Sequence, residues 1–133
     1  MKTKTLHQSV VIETDPHDVY EALMDSKKHT EFTGAKAKIG RHVGDSFSVW
    51  DDWATGSNVE LIPDKKIVQQ WRGSDWPEGH YSVITFEFKK IDRGTRLDFT
   101  QINIPELLYE DVAQGWKEWY WEKLKTYFSK RYA

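Results

Sequence analysis

Residues 106–130 read ELLYEDVAQGWKEWYWEKLKTYFSK. Leu108, Val112, Trp116, Trp119, Tyr120, Leu124, Tyr127 and Phe128 recur there at three- and four-residue intervals, the rhythm of one apolar helix face. Pro105 closes whatever precedes. Glu110 and Asp111 sit early, and Lys123, Lys125, Lys130 and Arg131 sit late, which complements the helix dipole. The stretch predicts one helix from Glu106 to about Lys130, roughly 36 Å long at the usual rise per residue. A rod of that length must cross a whole sheet, and something must cover its ring-rich stripe. Trp119 and Trp121 stand about 200° apart on a regular helix, so at least one is expected at the surface. Gly115 precedes Trp116 in mid-helix, where it costs about 1 kcal/mol relative to Ala. Either a close helix–sheet crossing or room left for a ligand accounts for it.

The chain upstream supplies the cover. Leu6 to Thr14 alternates as a strand, with Leu6, Gln8, Val10 and Ile12 on one side. Asp15-Pro16 then opens a helix carrying Val19, Tyr20, Leu23 and Met24 on one face. A second short helix follows over 27–32, stopped by Thr33-Gly34. From Ala35 to Ile104 the pattern is strand, turn, strand: 35–39, 45–51, 57–62, 66–72, 81–91 and 95–104. Gly73 to Gly79 reads as a loop and Asp92-Arg93-Gly94 as a hairpin. Hairpin-linked strands between helices predict an antiparallel α+β domain of six to seven strands around the C-terminal helix, with two short helices after the first strand. Length predicts one domain, residues 1–133.

Several function classes lose their support in the residues. There is no cysteine, hence no disulfide, thiolate metal site or thiol nucleophile. His7, His17, His29, His42 and His80 never fall at the spacing that lets imidazoles share a metal, so neither metal nor cofactor is expected. Asp51-Asp52 would point to opposite faces of a strand; a surface turn suits them better than a catalytic dyad. No Gly-x-Ser-x-Gly turn and no glycine-rich phosphate loop occurs. The net charge of −2 and the scattered lysine pairs offer no basic stripe for nucleic acid or membrane. No apolar run approaches a signal or spanning segment, so a cytoplasmic protein is expected.

Seven Trp residues, within 14% aromatics, are the outstanding feature. They serve equally to fill a core or to line a pocket. The ordered segments Asp15-Pro16, Glu31-Phe32-Thr33-Gly34-Ala35, Gly44-Asp45-Ser46-Phe47 and Leu61-Ile62-Pro63 resemble the activator of heat-shock-protein-90 ATPase homologue family. So do Ile67-Val68-Gln69-Gln70-Trp71-Arg72, Gly94-Thr95-Arg96-Leu97, Ile104-Pro105, Gly115-Trp116 and Trp119-Tyr120-Trp121. That family lies within the START-like, or SRPBCC (birch-pollen-allergen-like), superfamily. The resemblance implies a helix-grip fold with an apolar cavity or groove between sheet and helix. It implies no shared catalytic apparatus, since members range from lipid carriers to co-chaperones to a few enzymes. In the co-chaperone this kind of domain is the C-terminal half. The N-terminal half, which contributes to chaperone engagement, has no counterpart in these 133 residues.

The leading expectation is therefore a non-catalytic binding domain that holds a small hydrophobic molecule. Phe32, Trp50, Trp71, Phe86, Phe99, Trp116 and Tyr120 are expected to line its cavity, with Glu60, Gln70 and Gln101 as polar contacts. The alternative is a stress-related, co-chaperone-like interaction domain with a chaperone or other protein as partner, presenting Trp53, Trp76 and Trp121. A third reading, an enzyme acting on a cavity-bound aromatic or polyketide, lacks a visible acid–base pair.

Overall fold

A computed structural model describes residues 2–131, with side chains to Ser129; the expectation for the Lys130 and Arg131 side chains lies outside the described residues. Seven strands form one antiparallel sheet: β1 (Thr3–Ile12), β2 (Lys38–Ile39), β3 (Ser46–Val49), β4 (Ala54–Ile62), β5 (Lys66–Gly73), β6 (Ser82–Ile91) and β7 (Gly94–Pro105). Their order is β1-β7-β6-β5-β4-β3-β2. Hairpins join each strand from β2 to β7 to the next. The first strand returns to pair with the last, Val10 opposite Leu97 and Ile12 opposite Thr95. Between β1 and β2 lie α1 (Pro16–Met24) and α2 (Ser26–Thr33).

The helix boundaries follow local chemistry. Asp25 accepts from the Lys28 N–H at 2.9 Å and caps α2. Gly34, at φ 80°, ends α2 in the left-handed region that suits glycine. Asp15 makes no capping bond from its side chain; Thr14 Oγ1 instead donates to Asp18 at 2.6 Å across the first turn of α1.

The C-terminal rod is continuous but not regular. It starts as a 3₁₀ turn (Glu106–Leu108) and runs through α3 (Tyr109–Trp116), a π turn (Lys117–Trp121) and α4 (Glu122–Arg131). Backbone dihedrals stay helical across both junctions. The π turn corrects the expectation of one uniform helix, and its cause is visible. A wider turn puts residues five apart on one face, so Trp116 and Trp121 both point inward, each 4% exposed, and their rings stack at 5.6 Å and 22°. The Lys117 N–H bonds Gln114 O. Ala113 O accepts from Gln8 Nε2 at 3.0 Å, and Gln8 Oε1 accepts from Trp121 Nε1 at 2.6 Å. One inward amide on β1 thus satisfies both the widened turn and the indole it turns inward.

The rod lies across the concave face of the sheet. The Trp116 ring meets Trp71 of β5 at 5.8 Å, Phe86 of β6 at 6.0 Å and Phe99 of β7 at 4.3 Å. Farther along, Leu124 and Phe128 are buried. Each such ring or branched chain contributes roughly 1.5–3 kcal/mol on burial, so this face holds sheet and rod together.

A candidate binding site: an aromatic pocket beside the helix

The space left between sheet and rod amounts to about 20 Å³, lined by Phe86, Trp71, Trp116, Tyr120, Gln69 and His29 among others. That is room for about one water molecule. Large rings fill the interior.

Open space lies beside α3 and also against β2, β3 and β4, where Lys38, Ser46, Gly56 and Gln70 border an opening of about 750 Å³. A pocket of about 430 Å³ is walled on one side by Leu108, Val112, Gly115, Trp116, Trp119 and Tyr120, and on the other by Trp50, Trp53, Trp71 and Trp76. Asp75 and Asp111 complete it.

Each wall is held in place by identifiable bonds. Trp50, Asp51 and Asp52 all have left-handed backbones, at φ 58°, 54° and 72°. For side-chain-bearing residues that costs roughly 1–2 kcal/mol each. Compensating bonds surround the turn. Asp51 N–H donates to Lys36 O at 3.1 Å, Lys36 N–H to Asp51 Oδ1 at 3.0 Å, Trp53 N–H to Trp50 O at 3.1 Å, and Ser48 Oγ to Asp52 Oδ1. Strand β3 therefore stops at Val49 rather than running to Asp51, and the turn carries Trp50 and Trp53 to the pocket.

The loop after β5 is stapled by Arg72, whose guanidinium donates to Trp76 O at 2.7 Å and Pro77 O at 3.2 Å. Trp76 packs edge-on against Trp71, with ring centroids 5.4 Å apart.

Three polar chains run behind the rings. Trp50 Nε1 donates to Tyr120 Oη at 3.1 Å, and that hydroxyl lies 3.2 Å from His29 Nε2. The tautomer of His29 sets which of the two donates in this second contact, and in either case the ring is neutral. Burial fits this, lowering the His29 pKa to about 4 and holding the Tyr120 phenol well above its ordinary value. Trp116 Nε1 donates to Gln101 Oε1 at 2.7 Å, Gln101 Nε2 to Ser82 Oγ at 2.9 Å, and Ser82 Oγ to Trp71 O at 2.9 Å. Gln69 Nε2 donates to Asn58 Oδ1 at 2.9 Å. Trp71 Nε1 is buried with no partner among the described residues.

The expected lining residues separate into groups. Trp50, Trp71, Trp116 and Tyr120 line the open pocket. Phe86 borders only the small void. Phe32 packs against His29 and Tyr120, and Phe99 against Phe86 and Trp116.

Of the expected polar contacts, Gln101 is inside and wholly buried. Glu60 and Gln70 are not; both are exposed on the other face. A bulge at Val59 interrupts the pairing between Asn58↔Gln69 and Glu60↔Val68 and turns Glu60 outward, where it pairs with Lys66 at 3.1 Å. Gln70 pairs with Ser57 on the outer side, and its neighbour Gln69 takes the inner position. Trp53 is exposed at 41%, as expected, but Trp76 and Trp121 are buried at 5% and 4%. Sequence reasoning left Leu108, Asp75, Asp111 and Val112 out of the lining. The loop composition around Trp76 and the mid-helix Gly115 marked this end of the molecule. Among the described residues no cluster of His, Asp or Glu could hold a metal, and no helix is long and apolar enough to cross a membrane.

Residues 13–129 match the family profile described as "Activator of Hsp90 ATPase homolog 1-like protein". The chain belongs to that family. Human "Activator of 90 kDa heat shock protein ATPase homolog 1" is 33% identical over 115 residues, 86% of this chain and 34% of that protein. The Dictyostelium discoideum "Activator of 90 kDa heat shock protein ATPase homolog" is 30% identical over 128 residues, 96% of this chain and 33% of its own length. The chain thus spans about a third of the curated family members it matches. Among solved structures, "PFC0360w, an HSP90 activator from plasmodium falciparum" superimposes with a TM-score of 0.87 at 25% identity. That match covers 94% of this chain and 96% of the other. The family's fold is the one found here: an antiparallel sheet, short helices after the first strand, and a long C-terminal helix.

Proposed function

We propose that this chain is a cytoplasmic, non-catalytic binding domain of co-chaperone type whose partner is a 90-kDa heat-shock protein. The observation that carries the reading is the match to a solved HSP90 activator over nearly the full length of both chains. The filled interior supports it, because the molecule offers contacts at its surface rather than a deep store for cargo. The pocket walls include exposed rings: Trp53 and Trp119 are 41% and 51% exposed. Exposed aromatic anchors of this kind dominate protein interfaces. The test is titration of the purified chain into a 90-kDa heat-shock protein, with complex formation and ATPase rate as readouts. Binding with a raised rate, both reduced by Trp53→Ala with Trp119→Ala, is the expected result. No complex and no rate change would overturn the reading.

A second reading rests on the pocket itself. Its volume of about 430 Å³ and ring-lined walls suit a small, largely apolar molecule. Native mass spectrometry of the purified chain tests this, together with the Trp fluorescence response to apolar ligands. A co-purifying mass or a saturable response is expected, and silence in both would count against it.

A further inference from the structure

The three segments that wall the pocket share a charge bias. Residues 50–53, 72–79 and 106–121 carry eight carboxylates, on Asp51, Asp52, Asp75, Glu78, Glu106, Glu110, Asp111 and Glu118, against two cations, Lys117 and Arg72, the latter tied to the Trp76 and Pro77 carbonyls. The whole chain has a formal charge of only −2. Asp75 and Asp111 line the pocket itself, and no ion pair or hydrogen bond engages either carboxylate among the described residues. The rings between them meet at steep angles: Trp53 to Trp71 at 69°, Trp71 to Trp76 at 72°, and Trp50 to Trp119 at 72°. Rings set edge to face around a space turn some of their faces toward it, and an aromatic face carries the negative lobe of its quadrupole. Trp119 already attracts a cation of this chain, with Lys123 Nζ 5.5 Å from its centroid.

We propose that this pocket takes an organic cation, an ammonium group carried on an apolar or aromatic body. Rings supply the apolar walls and the cation–π attraction, and the two carboxylates supply the countercharge. A neutral hydrocarbon would use the walls and leave the carboxylate charge idle. An anion would face the carboxylates. The inference rests on the pocket reading given second above, and it is independent of the chaperone.

The probe is benzoylcholine, which combines a quaternary ammonium, an ester oxygen and a phenyl ring. Its control is 3,3-dimethylbutyl benzoate, the same shape with carbon in place of the charged nitrogen. Binding to the whole ¹⁵N-labelled chain is followed through the indole N–H signals of the tryptophans. The expected result is benzoylcholine at least about fivefold tighter than the control, with the preference removed by Asp75→Asn with Asp111→Asn. Both aspartates are exposed and unbonded, so the variant is expected to fold. As a second measure on unaltered protein, raising salt from about 0.05 to 0.5 M weakens the cation and leaves the control unchanged. Lys123→Gln removes the internal competitor and tightens the cation further. Equal affinity for the two probes, or an undiminished preference in the aspartate variant, overturns the cation proposal while the pocket reading stands. If neither probe binds, both fall.

Discussion

Trp116 Nε1 donates to Gln101 Oε1 at 2.7 Å where Gln101 is wholly buried and Trp116 is 4% exposed. This bond joins the rod to β7 at the centre of the concave face. Through Ser82 Oγ the same amide reaches the carbonyl of Trp71, so one glutamine orients two pocket-lining residues. A buried amide is tolerated only because both of its ends are satisfied.

Gln101→Met keeps the volume and removes both bonds. Trp116 Nε1 then lies buried without an acceptor, which costs roughly 1–3 kcal/mol. Urea unfolding followed by Trp fluorescence is expected to show a lower midpoint with an unchanged slope. A midpoint equal to that of the parent would show that the amide does not tie the rod to the sheet.

His29 sets a pH limit on stability. Burial holds its folded pKa at about 4, below the unfolded value near 6.5. The unfolded chain therefore binds more protons between these values, and stability falls as pH drops through that window. The contribution, about 3 kcal/mol, is complete above pH 6.5 or so and lost by about pH 4. His17 works the other way: the Asp64 carboxylate raises its pKa, so protonation favours the fold, but the pair is solvent-exposed and weak. In His29→Gln the fall in melting temperature between pH 6.5 and 4 is expected to flatten. An unchanged pH profile would place the sensitivity in other groups.

Much of the fold was legible because it rests on periodicity. Val112, Trp116, Tyr120, Leu124 and Phe128 recur every four residues, and all five are buried. Leu6, Val10 and Ile12 alternate inward on β1 as their spacing requires, with Gln8 half-buried among them. What escaped depended on departures from period. The π turn brings Trp121 under Trp116, and no 3.6-residue count contains it. The bulge at Val59 reverses Glu60. Trp76 sits among Gly, Ser, Asp and Pro, the composition of an exposed loop, yet Arg72 and Trp71 bury it. The pocket was legible only in part: Trp50, Trp71, Trp116 and Tyr120 were expected in its lining, but the shape of its second wall, a left-handed turn and a stapled loop, is fixed by long-range bonds that no local pattern encodes.

Arg72 is the residue on which that loop depends. Its guanidinium bonds two successive loop carbonyls, and charge-assisted bonds of this kind contribute more than neutral ones. Arg72→Met is expected to lower stability by about 1–2 kcal/mol. It should also move Trp76 toward solvent, seen as a red shift in emission and faster exchange of its indole proton. Loss of stability without any change at Trp76 would assign Arg72 to packing alone, for instance through its contact with Tyr81 at 6.0 Å.

Two glycines separate the pocket from the fold. A Cβ at Gly115 would meet only Trp119 Cδ1, at 3.8 Å, an ordinary contact. The close-crossing explanation for this glycine is thereby removed: no part of the sheet stands over it, and Gly115 faces the pocket instead. Gly115→Ala is expected to stabilise the rod by up to about 1 kcal/mol. Gly115→Leu reaches into the pocket and should abolish the response to any ligand there, with the melting temperature little changed. Gly56 is the opposite case. Its Cβ would stand 1.8 Å from the Gln70 carbonyl oxygen and 2.7 Å from the Phe47 ring. Backbone cannot yield as a flexible side chain can, so Gly56→Ala is expected to cost about 3 kcal/mol or more. The pair makes a discriminating experiment on one protein. If Gly115→Ala destabilises as much as Gly56→Ala, the space beside α3 is not open and the pocket argument fails. If Gly56→Ala is neutral, the tight approach of β4 to β5 is wrong.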